Sequence, residues 1–143
     1  MTDGAGSRVT VVVANADETV CEVLARVIEA GGHESVRVTD ATQVSSAVNS
    51  ASADAVLLDL GAANVDQLRN LRSEGHPRGS DARAVVISTG PANSLLAWQA
   101  GADAVLTRPF KAEELQATLA DVLGRTNDAR AAIRAAQVQA LSA

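Results

Sequence analysis

Asp59 is the side chain in this sequence whose position is best suited to chemistry. It lies near the end of segment 55–60, where four consecutive apolar residues precede it and predict a strand buried on both faces. A carboxylate is costly to bury without a partner, and sheets of parallel strands place their sites just outside the carboxyl ends of the strands. For Asp59 alone, a helix N-cap or a loop acid would be the simpler explanation.

Three other polar residues also follow short apolar runs: Asn15, Thr89 and Arg108. Runs rich in branched apolar side chains predict strands, here over residues 9–14, 35–39, 55–60, 84–88 and 104–107. Helical spacing of apolar residues predicts helices between and after them, over about 20–30, 40–50, 64–74, 92–100, 111–123 and 127–142.

This alternation predicts an α/β fold with a doubly wound, five-stranded parallel sheet and right-handed crossovers. Among the doubly wound strand orders, 2-1-3-4-5 suits five strands. That order brings the ends of the first, third, fourth and fifth strands to one crevice. Asn15, Asp59, Thr89 and Arg108 are therefore expected to converge there.

Length and composition narrow the class of protein. The chain has 143 residues, 47% of them hydrophobic, so one domain is expected. Its net charge is −5, so direct binding to nucleic acid is not expected. No apolar run reaches membrane-spanning length, so we expect a cytoplasmic protein without a membrane partner. The expected organisation is a flexible tail (1–7), the α/β domain (8–125) and a helical extension (126–143).

Four motifs carry a more specific similarity: VLLDL (56–60), VISTG (86–90), QAGAD (99–103) and LTRPF (106–110). With these motifs the segment from Val9 to Gly124 resembles the CheY-like receiver domain of two-component response regulators. The resemblance implies a flavodoxin-like fold in which Asp59 stands at the position that accepts a phosphoryl group from a kinase histidine. It also implies that Thr89, or Ser88 as the second choice, supplies the hydroxyl.

The crevice departs from the receiver pattern in two places. Asn15 and Ala16 stand where receivers carry an acidic pair that holds Mg²⁺, and Arg108 replaces a lysine before Pro109. Asp17 is better placed to start a helix than to bind a metal. No cofactor is therefore expected, and Mg²⁺ is a doubtful ligand. Pro109 implies a cis peptide bond with Arg108. The expected role of Arg108 is to pair with Asp59, and the alternative is that it binds a phosphoryl group.

The outer face of the domain differs as well. Val105 occupies a place where receivers commonly have Tyr or Phe, so no aromatic side chain can relay a change at Asp59. Trp98 is the only tryptophan; it either fills the space left by that aromatic or forms, with Val105, a partly exposed interaction face. The helix predicted from Asn127 could support a dimer, pack as an appendage or link to an output domain.

Together these features predict a non-enzymatic, atypical pseudo-receiver in bacterial signal transduction. It would act as a phosphorylation-independent interaction or dimerisation module, in which Asp59 is a phosphoacceptor position that is not used. Its partners would be signalling proteins or output domains, with a homodimer expected. Two alternatives stay open: a working phosphoacceptor that a histidine kinase phosphorylates on Asp59, and a small-ligand sensor that uses the crevice.

Overall fold

The computed structural model describes residues 9–73, 78–79, 81–88 and 90–142. Its five strands are β1 (Thr10–Ala14), β2 (Glu34–Val38), β3 (Ala55–Leu58), β4 (Arg83–Ser88) and β5 (Ala104–Thr107). They form one sheet in the order β2-β1-β3-β4-β5, and all four pairings are parallel. The predicted doubly wound α/β fold and its strand order are confirmed.

Six α-helices connect or follow the strands: α1 (Glu18–Ala30), α2 (Val44–Ser50), α3 (Asn64–Arg72), α4 (Pro91–Ala100), α5 (Ala112–Leu123) and α6 (Asn127–Ser142). Short 3-10 turns, Ala41–Gln43 and Gly61–Ala63, precede α2 and α3. The third strand ends two residues earlier than predicted, because the backbone N–H of Leu60 donates to the side chain of Asn64 instead of to a neighbouring strand. Asp59 is therefore in the loop that follows β3.

The sheet has an apolar layer on each face, because successive strand residues point to opposite sides. Val13 and Leu57 pack with buried residues of α1 and α5, such as Leu24 and Leu119. Val12, Val56, Leu58 and Val86 pack on the opposite side with buried residues of α2, α3 and α4. Both layers consist almost entirely of aliphatic side chains, as the shortage of aromatic residues predicts.

The last helix, α6, packs against α4 and joins the second of these layers. Its partly buried apolar residues are Ile133, Val138 and Leu141. Of the three roles that the sequence leaves open, the structure shows a packed appendage. Among the described residues, no helix combines the length and hydrophobicity that a membrane crossing requires.

Candidate functional site

Asp59 lies at the carboxyl edge of the sheet, directly after β3. Its backbone N–H donates to the carbonyl of Ala14 at 2.9 Å, which continues the pairing of β3 with β1 by one residue. Its side chain is only 8% exposed. A carboxylate with so little contact with water requires hydrogen-bond donors from the protein.

Arg108 supplies two of these donors from the loop after β5. NH1 donates to Oδ1 of Asp59 at 2.7 Å, and NH2 donates to Oδ2 at 2.5 Å. This two-point geometry suits a planar guanidinium and a carboxylate. The hydrogen bond to Asp59 raises the pKa of Arg108 above its usual value, although partial burial opposes the shift. The pairing expected from the sequence is thus present in the structure.

Asn15 supplies the third donor from the end of β1. Its Nδ2 donates to Oδ2 of Asp59 at 2.7 Å, while its Oδ1 accepts from the backbone N–H of Asp17 at 2.7 Å. The amide oxygen, which could otherwise face a metal ion, is therefore used at the start of α1. Both oxygens of Asp59 accept hydrogen bonds from side chains of the crevice.

The loop after β5 holds Arg108 in place through its neighbours. The peptide bond between Arg108 and Pro109 is cis, as the sequence motif implies. The guanidinium carbon of Arg108 lies 5.8 Å from the centre of the Phe110 ring, within the range of a cation–π contact. Arg108 is nevertheless 48% exposed, so it is the more solvated partner of the pair.

Two residues were candidates for the receiver hydroxyl. Thr89, the first choice, lies outside the described residues. Ser88, the second choice, is buried at the end of β4. Its hydroxyl donates to the carbonyl of Gly90 at 3.0 Å and lies 3.1 Å from the hydroxyl of Ser94. Ser88 therefore takes part in the hydrogen bonds that start α4.

Known proteins resemble this chain in both sequence and fold. The DNA-binding response regulator MtrA of Mycobacterium leprae is 31% identical over 124 residues, which cover 85% of this chain and 54% of that protein. A response regulator receiver domain protein from Clostridium thermocellum has a TM-score of 0.70 at 19% identity, over 82% of this chain and 95% of that structure. A CheY-like receiver domain protein from Methanospirillum hungatei has a TM-score of 0.69 at 16% identity, over 82% of this chain and 94% of that structure.

The comparisons of sequence and fold support a response regulator receiver domain. The chain spans about half the length of the curated relatives that it matches, so the similarity covers only one part of those proteins. No family model matches the sequence.

The residues that follow β1, where receivers carry an acidic pair, do not fit Mg²⁺ well. Mg²⁺ prefers hard oxygen ligands in near-octahedral geometry. Ala16 has no side-chain oxygen, and Oδ1 of Asp17 caps α1 by accepting from the backbone N–H groups of Thr19 and Val20 at 2.8 and 3.2 Å. Within the described ranges, no cluster of three histidine, cysteine or acidic side chains could hold a metal ion.

Trp98 is more buried than one of the two interpretations of the sequence requires. It is buried, with 7% exposure, and it belongs to the apolar layer that half-buried Val105 and the inner residues of α6 complete. Trp98 is therefore not a partly exposed anchor but fills space beneath α6. An interaction through the face formed by Trp98 and Val105 would require α6 to move.

Sequence reasoning missed a second group of charged residues, which surrounds Asp103. This buried carboxylate accepts from Arg130 at 2.7 and 3.2 Å, from Arg134 at 3.2 Å, from Arg72 at 3.0 Å and from the backbone N–H of Ala84 at 2.9 Å. Arg130 and Arg134 stand one turn apart on α6. This spacing is the feature of the sequence that could have indicated that they act together. We call Asp103, Arg72, Arg130 and Arg134 the arginine cluster.

Proposed function

We propose that this receiver domain is a phosphorylation-independent interaction module in bacterial signal transduction. The observation that carries the proposal is that Arg108 and Asn15 together engage both carboxylate oxygens of Asp59. Phosphorylation would have to displace this pairing before an oxygen of Asp59 could attack. The arginine acts as a fixed internal counterion and keeps Asp59 in its unmodified state.

The donor set around Asp59 supports the same conclusion. Transfer of a phosphoryl group to a carboxylate brings two anionic groups together, so their charge must be neutralised. Ala16 offers no ligand, and Oδ1 of Asn15 and Oδ1 of Asp17 already accept hydrogen bonds at the start of α1. Arg108 alone would have to supply the neutralising charge that a metal ion and a lysine share in receivers.

The module that we propose comprises residues 8–125, with residues 126–143 as an extension docked on it and 1–7 as a tail. Its partners are signalling proteins or output domains, and a second copy of the chain is the first partner to test. Since Asp59 is held in one state, binding of these partners does not depend on a kinase. We propose no catalytic role for the domain.

The test is incubation with acetyl phosphate and Mg²⁺, followed by intact-protein mass spectrometry. We expect the wild-type chain to gain no phosphoryl group. We also expect its mass in light scattering to be the same with and without the phosphodonor. An Asp59→Ala variant should behave like wild type in both measurements.

A gain-of-function variant makes this negative result informative. Ala16→Asp combined with Arg108→Lys restores an acid and a compact ammonium at the two divergent positions. Ala16 is exposed, so the new carboxylate needs no space in the core. We expect this double variant to be phosphorylated on Asp59, whereas Ala16→Asp with Asp59→Ala should not be.

The proposal is wrong if wild type is phosphorylated and its oligomeric state changes, and if Asp59→Ala abolishes both effects. That result would establish the chain as a working phosphoacceptor. A small-ligand sensor in the crevice would instead show saturable binding that Arg108→Lys weakens and that needs no phosphodonor.

A further inference from the structure

The arginine cluster borders an open cleft on the side of the domain away from Asp59. The cleft has a volume of about 440 Å³ and lies where the carboxyl end of α4 meets the first turns of α6. Among the described residues, its charged lining consists of Arg72, Arg130, Arg134 and Asp81. Three of these four side chains are cations, so the cleft is electrostatically unlike the acidic protein as a whole.

The cluster has more positive than negative charge. Asp103 is buried and accepts four hydrogen bonds from the three arginines and a fifth from the backbone N–H of Ala84. The second acid of the cleft is Asp81, which is exposed to solvent. Among the described residues, two carboxylates lie beside three guanidinium groups, which leaves one positive charge in excess, although each arginine already donates to Asp103.

Burial is the main cause that lowers the pKa of Arg72 to about 10; the charge of Asp103 opposes the shift, and the charges of Arg130 and Arg134 add to it. An anion placed among the three arginines would relieve this repulsion.

Arg134 has capacity left for such an anion. Its Nε donates to Ala102 O at 3.0 Å, and its NH2 donates to Gly101 O at 3.0 Å and to Asp103 at 3.2 Å. Its NH1 has no hydrogen-bond partner within the described part of the chain. Since the side chain is 28% exposed, this nitrogen can reach a ligand without leaving the cluster.

An apolar groove continues from the same cleft along α4 and α6. It has a volume of about 570 Å³, and its walls include Trp98, Ala135 and Val138. Gln99, Ala131 and Arg134 line both spaces, so the two adjoin each other. A cationic end joined to an apolar groove fits a ligand with an anionic head and an apolar or aromatic body.

We propose that this cleft binds a small organic phosphate, with its phosphate against Arg134 and its body along Trp98 and Val138. A phosphate suits the cationic end better than a carboxylate, because it offers a guanidinium group a larger negative charge and three acceptor oxygens. The site is separate from the crevice of Asp59. It would let a metabolite adjust how firmly α6 is docked.

The test is a titration followed by the fluorescence of Trp98, the only tryptophan in the chain, at constant ionic strength. The probes are inorganic phosphate, AMP and octyl phosphate below its micelle concentration, with octanoate and sodium chloride for comparison. We expect saturable spectral changes with the two organic phosphates, at concentrations about ten-fold lower than with inorganic phosphate because the body buries apolar surface. Octanoate should bind more weakly than octyl phosphate.

Three variants locate the site. Gln99→Glu adds a carboxylate at the junction of the two spaces and leaves every hydrogen bond of the arginine cluster in place, so it should weaken binding roughly three- to ten-fold. Asp81→Asn removes the exposed acid and should strengthen binding. The matched control is Arg26→Gln, which changes the charge in the same direction and by the same amount as Gln99→Glu at a 71% exposed position of α1.

Two results would overturn the proposal. One is the lack of any saturable change with AMP and octyl phosphate. The other is an equal loss of affinity in Gln99→Glu and Arg26→Gln, which would mean a response to net charge only. In either case the arginines serve only to dock α6.

Discussion

Removal of Arg108 should destabilise the domain more than neutralisation of Asp59. The carboxylate of Asp59 is 8% exposed in the structure; in Arg108→Ala it keeps its charge but retains, of its side-chain donors, only Asn15. In Asp59→Asn an amide of the same shape replaces the carboxylate, so no buried charge is left. Arg108 is 48% exposed and can then turn toward water.

The expected magnitude follows from the two exposures. Loss of one partner from a fully buried ion pair costs about 3–5 kcal/mol, whereas exposed pairs contribute about 0–1 kcal/mol. Here one partner is buried and the other is half exposed, so we expect Arg108→Ala to lower the free energy of unfolding by about 1–2 kcal/mol. Asp59→Asn should lower it by less than about 0.5 kcal/mol.

Urea denaturation at pH 7, followed by circular dichroism, measures both values. The double variant should be close to Asp59→Asn, because the alanine no longer leaves a charge unpaired. Arg26→Ala removes an arginine from an exposed pair with Glu22 and serves as the control, with an expected change below about 0.5 kcal/mol. Equal and negligible losses for Arg108→Ala and Asp59→Asn would show that the two groups are solvated independently, and the counterion argument would fail.

The other predictions concern the arginine cluster and α6. Asp103→Asn should lower the free energy of unfolding by about 3 kcal/mol or more in urea, because it leaves Arg130 buried without its counterion. Burial by itself would raise the pKa of Asp103, but hydrogen bonds from Arg130 and Ala84 and the charges of Arg130 and Arg72 lower it overall. The resulting stabilisation is present above the unfolded-state pKa of about 4 and is lost as the pH falls below it. Asp103→Asn should therefore flatten the acid limb of a plot of stability against pH, and an unchanged limb would contradict this assignment. Removal of residues 127–143 should expose Trp98, shift its emission to the red and lower the melting temperature; unchanged emission would mean that α6 does not cover Trp98 in solution.

The strands and their order could be predicted from the sequence because they depend on local patterns. Branched apolar runs of four to six residues have few alternatives to a buried parallel strand. Strand order then determined which loops meet, and so the approach of Arg108 to Asp59 could be expected across 49 positions of sequence. The role of Asn15 was predicted only in part, since a sequence does not show which atom of an amide faces the crevice.

The docking of α6 could not be predicted in the same way. Its alanine-rich sequence has a weak apolar face, and arginines on such a helix usually lie in solvent. Their partner Asp103 lies 27 residues before Arg130, in a turn, so no local spacing indicates the pair. The burial of Trp98 follows from this docking, which is why its exposure was the uncertain point of the sequence interpretation.

The ion pair of Asp59 and the contacts that hold α6 also differ in how strongly they stabilise the structure. Asp59 is held by one half-exposed arginine, and we expect about 1–2 kcal/mol from that pair. The helix α6 is held by a buried ion pair, further bonds from Arg134 and the apolar contacts of Trp98, for which the expected total is at least about 3 kcal/mol. A perturbation can shift an equilibrium only by the difference in free energy that it supplies. Breaking the pair of Asp59 and Arg108 therefore supplies too little free energy to undock α6, whereas the ligand that we propose for the cleft would act directly on the contacts that hold this helix.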